Sequence, residues 1–179
     1  MRVFVAVDLP DGEAKAKVLA LLSELHANRN LKVVAPENLH FTLAFIGEVS
    51  NDVVKRASEA ISRISYQTFN ASLSGIGYFP SRERARVVWV GIKEEQGGRQ
   101  LEELAELVRG ALSSAEVPFD EKPFVPHLTL ARTREGTAGR IDVKEEVSGQ
   151  FQVAAFSLKR SVLTGHGPIY SDLVQVKLL

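Results

Sequence analysis

APENLHFTLAF (residues 35–45) and KPFVPHLTLAR (residues 122–132) share one pattern, a proline-containing approach followed by His-x-Thr-Leu. Their histidines, His40 and His127, are separated by almost half of the 179-residue chain. A duplicated architecture with one motif in each half explains this spacing, so the two stretches predict two related halves.

Lysine and arginine together number 22, as do aspartate and glutamate, and there is no cysteine. A balanced charge gives no overall attraction to nucleic acid or membrane, so a polyanion has to be held by a local cluster. The lack of cysteine excludes disulfides, thiolate metal sites and cysteine nucleophiles, and it agrees with a reducing compartment. The apolar start of the chain, about seven residues long, is too short for a signal or spanning segment. We therefore expect a cytoplasmic protein with no membrane partner.

The hydrophobic periodicity predicts more strands than helices, and the two kinds of element do not alternate one for one. This pattern favours an α+β protein with antiparallel sheets over a doubly wound parallel sheet. Helical spacing of apolar residues predicts three helices, over residues 11–28, 51–64 and 99–114. Strands are predicted over residues 2–9, 39–47, 69–79, 86–92 and 127–132, with an extended segment from residue 31 and two strands within 151–178 around the turn TGHGP.

Side chains two positions apart on a strand point to the same face of the sheet. His40 and Thr42 therefore share one face, and His127 and Thr129 share one face of their own strand. If a pseudo-twofold axis relates the halves, both pairs line one cleft. Two imidazoles facing one phosphate can act as acid and base, while the threonine hydroxyls bind its oxygens. The alternating apolar residues are expected on the opposite faces: Phe41, Leu43 and Phe45 in the first motif, Leu128 and Leu130 in the second.

Two other interpretations compete with a phosphate site. A single His-x-Thr strand is more often a buried histidine with local hydrogen-bond partners, but two copies in the same setting argue against that explanation. A zinc site normally needs three or four protein ligands, and no Asp, Glu or third His stands at an obvious ligand spacing. The sequence therefore predicts neither a metal nor another cofactor at the two motifs.

The motifs and their surroundings resemble the two-histidine phosphoesterase superfamily, and within it the RNA 2′,3′-cyclic phosphodiesterases, also called 2′-5′ RNA ligases. The resemblance covers essentially the whole chain and is carried by MRVFVAVDLP, PENLHFTLAFIGEV, GIGYFPSRERARVVWVGI and KPFVPHLTLAR. Two positions depart from the pattern. Val34 replaces an aromatic residue that is frequent before the first motif, and Ala44 stands where lysine is frequent.

The resemblance implies a bilobal α+β fold with pseudo-twofold duplication, in which two antiparallel sheets line a central cleft and the helices pack outside. It further implies a single domain over residues 1–179. The family's activity is hydrolysis of a terminal 2′,3′-cyclic phosphate on RNA to a 2′-phosphomonoester, and the same site can run 2′-5′ ligation in reverse. The expected partner is RNA with a cyclic phosphate end, such as a tRNA half, and the expected state is a monomer.

Roles for the motif residues follow from the same resemblance. His40 is the proton donor to the departing 3′ oxygen, and His127 is the proton acceptor that activates water. Thr42 and Thr129 bind the phosphate. Because the two motifs are alike, their residues alone leave open which histidine is the acid.

Arg132 lies five positions after His127, where the family often carries an arginine that contacts phosphate. Strict alternation sends Arg132 to the face opposite His127, so a phosphate-binding role requires the strand to end or to contain a bulge. A guanidinium suits phosphate oxygens well, and Arg132 is therefore included among the candidate phosphate ligands.

Arg82, Arg84 and Arg86 follow Tyr78 and Phe79 in the chain. They form either a solvated hairpin or a local patch on which RNA binds through arginine–phosphate and ring–base contacts.

His26, His166 and Trp89 are not assigned to the site. Two alternatives for the function remain open from the sequence. One is a cyclic phosphodiesterase that acts on small nucleotides, and the other is an RNA-binding module without turnover.

Overall fold

The computed structural model describes residues 1–136, 139–144 and 147–179. Within these ranges there are three α-helices: α1 (Glu13–Leu25), α2 (Asn51–Ser62) and α3 (Arg99–Ser114). The strands are β1 (Arg2–Asp8), β2 (Leu31–Val33), β3 (His40–Glu48), β4 (Phe69–Phe79), β5 (Val87–Ile92), β6 (His127–Thr133), β7 (Gln150–Val153), β8 (Ala155–Thr164) and β9 (Gly167–Lys177). A 3₁₀ turn (Pro36–Asn38) precedes β3, and a kinked segment (Glu94–Gly98), in which Gln96 and Gly97 are not helical, precedes α3.

The strands form two sheets, and every described pairing is antiparallel. One sheet has the order β3-β1-β8-β9, and the other has the order β2-β6-β5-β4-β7. Helices α2 and α3 pack on the four-stranded sheet, and α1 packs on the five-stranded sheet. The predicted α+β class with two antiparallel sheets and helices outside them is confirmed.

The two sheets repeat one arrangement around the two motifs. The chain runs from β1 through α1 to β3 in one half and from β5 through α3 to β6 in the other. In each half the motif strand pairs with the strand that precedes the helix, β3 with β1 and β6 with β5. Each of these helices crosses to pack on the sheet of the other half, which joins the two lobes. The predicted duplication is therefore present in the strand pairing itself.

The helices form where apolar residues recur every three or four positions. In α3 this stripe is fully buried and consists of Leu101, Leu104, Ala105, Val108 and Leu112. The hydroxyl of Ser50 accepts a hydrogen bond from the Val53 N–H and caps the first turn of α2. Helix α1 ends at Leu25, slightly before the predicted boundary. In the described part of the chain, no helix combines the length and the apolarity needed to cross a lipid bilayer.

The two strands predicted within residues 151–178, around the turn TGHGP, are confirmed as β8 and β9, but the structure has a third strand there, β7, which was not predicted. β7 pairs with β4 in the five-stranded sheet, whereas β8 pairs with β1 in the four-stranded sheet. Only Ala154 separates β7 from β8. The chain changes sheets there without a turn, so the hydrophobic pattern carries no signal for the break.

Gly97 provides a test of the packing that places α3. Its φ is +102°, and a Cβ at this position would lie 2.4 Å from the Ala71 Cα of β4. We expect Gly97→Ala to lower the free energy of unfolding by about 1–3 kcal/mol. Alanine is strained at this positive φ, and its Cβ would clash with Ala71. Urea unfolding measures this loss.

Gly110→Ala is the matched control for Gly97→Ala. Gly110 lies within α3, and a Cβ there would meet no atom within 4 Å. Alanine should raise the free energy of unfolding by up to about 1 kcal/mol, because it is the better helix former. Equal effects of the two substitutions would contradict the described packing.

Candidate active site

A cavity of about 650 Å³ lies between the two sheets, and both motifs face it. All five candidate residues of the sequence analysis line this cavity: His40, Thr42, His127, Thr129 and Arg132. The remaining lining residues are Arg2, Phe4, Val34, Asn38, Phe45, Ser161, Leu163, Pro168 and Tyr170. The structure thus brings together side chains from β1, β3, β6, β8 and β9.

A β-bulge in β6 explains how Arg132 reaches the cavity. Consecutive residues of β5 pair with Thr129 and Ala131, so Leu130 is an extra residue in the ladder. Leu130 and Ala131 are both buried, although they are neighbours in the strand. The bulge shifts the alternation by one position and returns Arg132 to the face that carries His127.

The same bulge occurs in β3. Consecutive residues of β1 pair with Thr42 and Ala44, so Leu43 is the extra residue. This places Phe45 in the cavity at the position equivalent to that of Arg132, and the Arg2 guanidinium lies 5.1 Å from the centre of its ring. The expectation that Phe45 points away from His40 is therefore wrong, because strict alternation does not continue past the bulge.

His40 is held by two hydrogen bonds. Its Nδ1 lies 2.6 Å from the Asn38 carbonyl oxygen, and its Nε2 lies 3.0 Å from the Thr42 Oγ1. A carbonyl oxygen only accepts, so Nδ1 carries the proton in the neutral ring and Nε2 carries the lone pair. The Thr42 hydroxyl then donates to Nε2.

His127 is held by the equivalent hydrogen bond at Nδ1 but not at Nε2. Its Nδ1 donates to the Val125 carbonyl oxygen at 2.7 Å, again two residues earlier in the chain. Its Nε2 has no hydrogen-bond partner among the residues that the structure describes. The rings of Phe79 and Trp89 lie edge-on to the imidazole, at 5.7 and 6.1 Å between centroids. Both histidines therefore carry their proton on Nδ1 when neutral, which leaves the lone pair on Nε2.

The environment of His40 favours its neutral form. The rings of Phe4 and Tyr170 lie 5.0 and 5.3 Å from the imidazole centroid. Burial lowers the pKa of His40 below the ordinary value of 6.5, and the positive charges of Lys159 and His127 act in the same direction. The hydrogen bond to the Asn38 carbonyl oxygen and the Asp8 carboxylate oppose this shift without cancelling it.

Lys159 is a buried cation in the same sheet, with 6% of its surface exposed. Its Nζ lies 3.0 Å from the Asp8 Oδ1 and 2.6 Å from the Asp172 Oδ1. Burial alone lowers the pKa of a lysine, but the two carboxylates outweigh it and hold the pKa of Lys159 above its usual value. Asp8 pairs with His40 in the β1–β3 register, so this charge network begins beside the imidazole.

Nothing in the sequence indicated that Phe4 and Tyr170 line the cavity, or that the ion pair of Asp8 and Lys159 lies beside His40. Phe4, Asp8, Lys159 and Tyr170 come from strands that carry no His-x-Thr pattern, and only strand pairing brings them to His40. The alternation of β1 could have placed Phe4 and Asp8 on one face, but not next to the first motif.

The arginine-rich segment is not a single patch on the cleft. Phe79 faces His127, so its neighbour Tyr78 points to the opposite face of β4. Arg82 lies over the Tyr78 ring and forms an ion pair of 2.6 Å with Asp142. Arg82 therefore lies on the far side of the sheet from the cavity.

Other titratable residues do not extend the cavity site. His26 and His166 are exposed, and neither lines the cavity. Arg84 and Arg86 are exposed and have no ion pair within the described ranges. No group of three or more His, Cys, Asp or Glu side chains that could hold a metal ion occurs among the described residues.

The chain matches a known protein family twice, once in each half of the fold. A family model described as LigT like Phosphoesterase matches residues 7–89 and, separately, residues 90–170. Each matched segment contains one His-x-Thr motif, as the two halves of the fold do.

Similar proteins match over nearly the full length. RNA 2′,3′-cyclic phosphodiesterase of Archaeoglobus fulgidus is 41% identical over 177 residues, which are 97% of this chain and 98% of that protein. The protein of the same name from Aeropyrum pernix is 36% identical over 85% of this chain and 89% of its own. The crystal structure of TT0787 of Thermus thermophilus superposes with a TM-score of 0.85 at 31% identity, over 99% and 97% of the two chains. On the two matched segments and these full-length similarities, this chain belongs to the LigT-like phosphoesterase family.

Proposed function

We propose that this chain hydrolyses RNA 2′,3′-cyclic phosphate ends to 2′-phosphomonoesters, with His40 as proton donor and His127 as proton acceptor. The observation that carries the proposal is the shared cavity, in which two histidines with anchored Nδ1 atoms stand beside two threonines and an arginine. Two curated relatives bear the name of this activity, which supports the choice of substrate.

The reaction is a displacement at phosphorus. His127 Nε2 takes a proton from water as the water oxygen forms its bond to phosphorus. The bond from phosphorus to the 3′ oxygen breaks, and that oxygen takes a proton from His40 Nε2. Thr42, Thr129 and Arg132 bind the non-bridging oxygens, where negative charge increases in the transition state.

His40 can act as the acid only when Nε2 carries a proton, although burial lowers its pKa in the free protein. A bound phosphate anion close to the ring favours the charged form and raises that pKa. Once Nε2 is protonated, it donates to the Thr42 Oγ1, and the hydroxyl proton of Thr42 is free to turn to a phosphate oxygen. Substrate binding, protonation of His40 and orientation of Thr42 are therefore coupled.

The same geometry supports the finer parts of the proposal. One chain supplies both His-Thr pairs, so a monomer over residues 1–179, acting as one bilobal domain, is sufficient for activity. Two proton carriers with a hydroxyl each and an arginine perform the proposed steps without a metal or other cofactor. The reverse reaction joins a 5′-hydroxyl to the cyclic phosphate in a 2′-5′ link, and tRNA halves are suitable substrates for either direction.

Substitution of either histidine tests the proposed roles. His40→Ala and His127→Ala should each lower kcat by about 10²- to 10⁴-fold, because each removes one proton-transfer step. The measurement is hydrolysis of an RNA with a 2′,3′-cyclic phosphate end in the presence of chelator, with identification of the product as the 2′- or 3′-monophosphate.

His166→Ala is the matched control, since His166 is exposed and lies outside the cavity. Circular dichroism establishes that the variants are folded. Full activity of either cavity variant, or loss of wild-type activity in chelator, would contradict the proposal.

Arg132→Met tests the phosphate contact. It keeps a long apolar stem but removes the cation, so kcat/KM should fall about tenfold or more. Arg160→Met is its control, because Arg160 is exposed and its strand neighbour Lys159 occupies the cleft face of β8. Equal effects of the two substitutions would show that Arg132 acts only through net charge.

The pKa of His40 is testable by NMR titration of the imidazole. Asp8 raises this pKa, so Asp8→Asn should lower it further below 6.5, and inorganic phosphate should raise it. Loss of the Asp8 carboxylate also leaves the positive charge of Lys159 less neutralised, and this charge lowers the pKa of His40 as well. Asp52→Asn, at the exposed start of α2, should leave the titration unchanged. A higher pKa of His40 in Asp8→Asn would refute the described electrostatics.

A further inference from the structure

The two histidines differ in how open their surroundings are. His40 has its ring enclosed by Phe4 and Tyr170, and its Nε2 is occupied by Thr42. The Nε2 of His127 has no hydrogen-bond partner in the described part of the chain. A molecule that enters beside His127 therefore displaces fewer contacts than one that enters beside His40.

The surface beside His127 is aromatic. The ring of Phe79 stacks on Trp89, at 4.9 Å between centroids and 27° between ring planes, and both rings meet His127 edge-on. Phe79 is 40% exposed, whereas the largest aromatic side chains of the core are fully buried. Trp89 is backed by Gly77, where an added Cβ would lie 2.2 Å from the indole. Because Gly77 has no side chain, the indole can pack against the backbone of β4, and the Phe79 ring then stacks on the indole.

The proposed reaction assigns different reactants to the two sides of the phosphate. The departing 3′ oxygen lies on the His40 side and belongs to the nucleoside that carries the cyclic phosphate. The attacking group enters on the opposite side, next to His127. For hydrolysis this group is water, which needs no binding surface beyond the base. For ligation it is the 5′-hydroxyl of a second RNA, whose first nucleoside has to occupy the space beside His127.

We propose that Phe79, supported by Trp89, is the stacking surface for the 5′-terminal nucleobase of an RNA acceptor with a 5′-hydroxyl end. This inference rests on the proposed function and on its assignment of His127 as the base. In the ligation step His127 takes the proton of the 5′-hydroxyl, and the 5′ oxygen bonds to phosphorus. The bond to the 3′ oxygen breaks, and this oxygen takes the proton of His40. The cyclic phosphate supplies the free energy, so no further reactant is needed.

The stacking surface explains a preference that His127 alone cannot produce. A nucleobase stacked on an aromatic side chain contributes about 1–3 kcal/mol to the binding of single-stranded nucleic acid and does so with little sequence preference. An acceptor held in this way competes with water for the cyclic phosphate. Without it, the site retains the groups needed for hydrolysis, but the acceptor loses the stacking contact beside His127.

The test is a competition between ligation and hydrolysis in one reaction. An RNA with a 2′,3′-cyclic phosphate end is incubated with increasing amounts of a second RNA that has a 5′-hydroxyl, and both products are quantified. Phe79→Ala should lower the ratio of ligation to hydrolysis about tenfold, within the range of a lost stacking contact. Phe79→Tyr should keep the wild-type ratio, because it keeps the ring.

Two controls keep the result interpretable. Phe79→Leu preserves apolar packing on Trp89 but removes the ring, so it should lower the ratio even if the alanine variant fails to fold. Ile169→Ala removes an exposed apolar side chain of β9, which belongs to the other sheet from Phe79, and it should leave the ratio unchanged.

Several outcomes would overturn the inference. Loss of ligation and hydrolysis in equal proportion would place Phe79 with the nucleotide that carries the cyclic phosphate, and an unchanged ratio would remove it from RNA binding. Wild-type protein that hydrolyses the cyclic phosphate but never ligates would end the inference while leaving the proposed function intact. Wild-type protein that does not hydrolyse it would refute the proposed function instead.

Discussion

The hydrogen bond from each histidine Nδ1 to the carbonyl oxygen two residues earlier is the interaction on which the rest of the site depends. Asn38 and Val125 supply these carbonyls, at 2.6 and 2.7 Å. A carbonyl oxygen cannot donate a hydrogen bond, so both neutral rings are held in the tautomer that has the proton on Nδ1 and the lone pair on Nε2. The short backbone segments before β3 and β6 thus set the chemical state of His40 and His127 before any substrate binds.

Duplication of this device gives two equivalent proton carriers, and the surroundings then make them unequal. His40 is enclosed by aromatic rings, and this burial lowers its pKa and favours the neutral form, although the neighbouring Asp8 carboxylate opposes the shift. The Nε2 of His127 has no hydrogen-bond partner among the residues that the structure describes. The two halves also differ after the bulges. The bulge in β3 brings an aromatic ring (Phe45) to the cavity, whereas the bulge in β6 brings a cation (Arg132). A symmetric fold therefore presents an asymmetric cavity to an asymmetric substrate.

The three described helices, strands β1 to β6 and the two His-Thr pairs were predictable, because each depends on periodicity within one short segment. The face of Arg132 and the face of Phe45 were not, since a bulge is a property of strand pairing and leaves no mark in the alternation. The break at Ala154 escaped prediction for a related reason. The chain passes from one sheet to the other while its backbone remains extended.

The sequence by itself determined that two copies of one proton carrier and one hydroxyl exist, each on a single strand face, because side-chain alternation over three residues is a local property. Only the tertiary structure decided that both pairs face one cavity. It also decided that Phe45 and Arg132, each five residues after a histidine, face the same cavity. It also decided that His40 sits beside the charge network of Asp8 and Lys159. Distances between strands and the burial of an imidazole arise from packing of segments far apart in the chain, and no single segment encodes them.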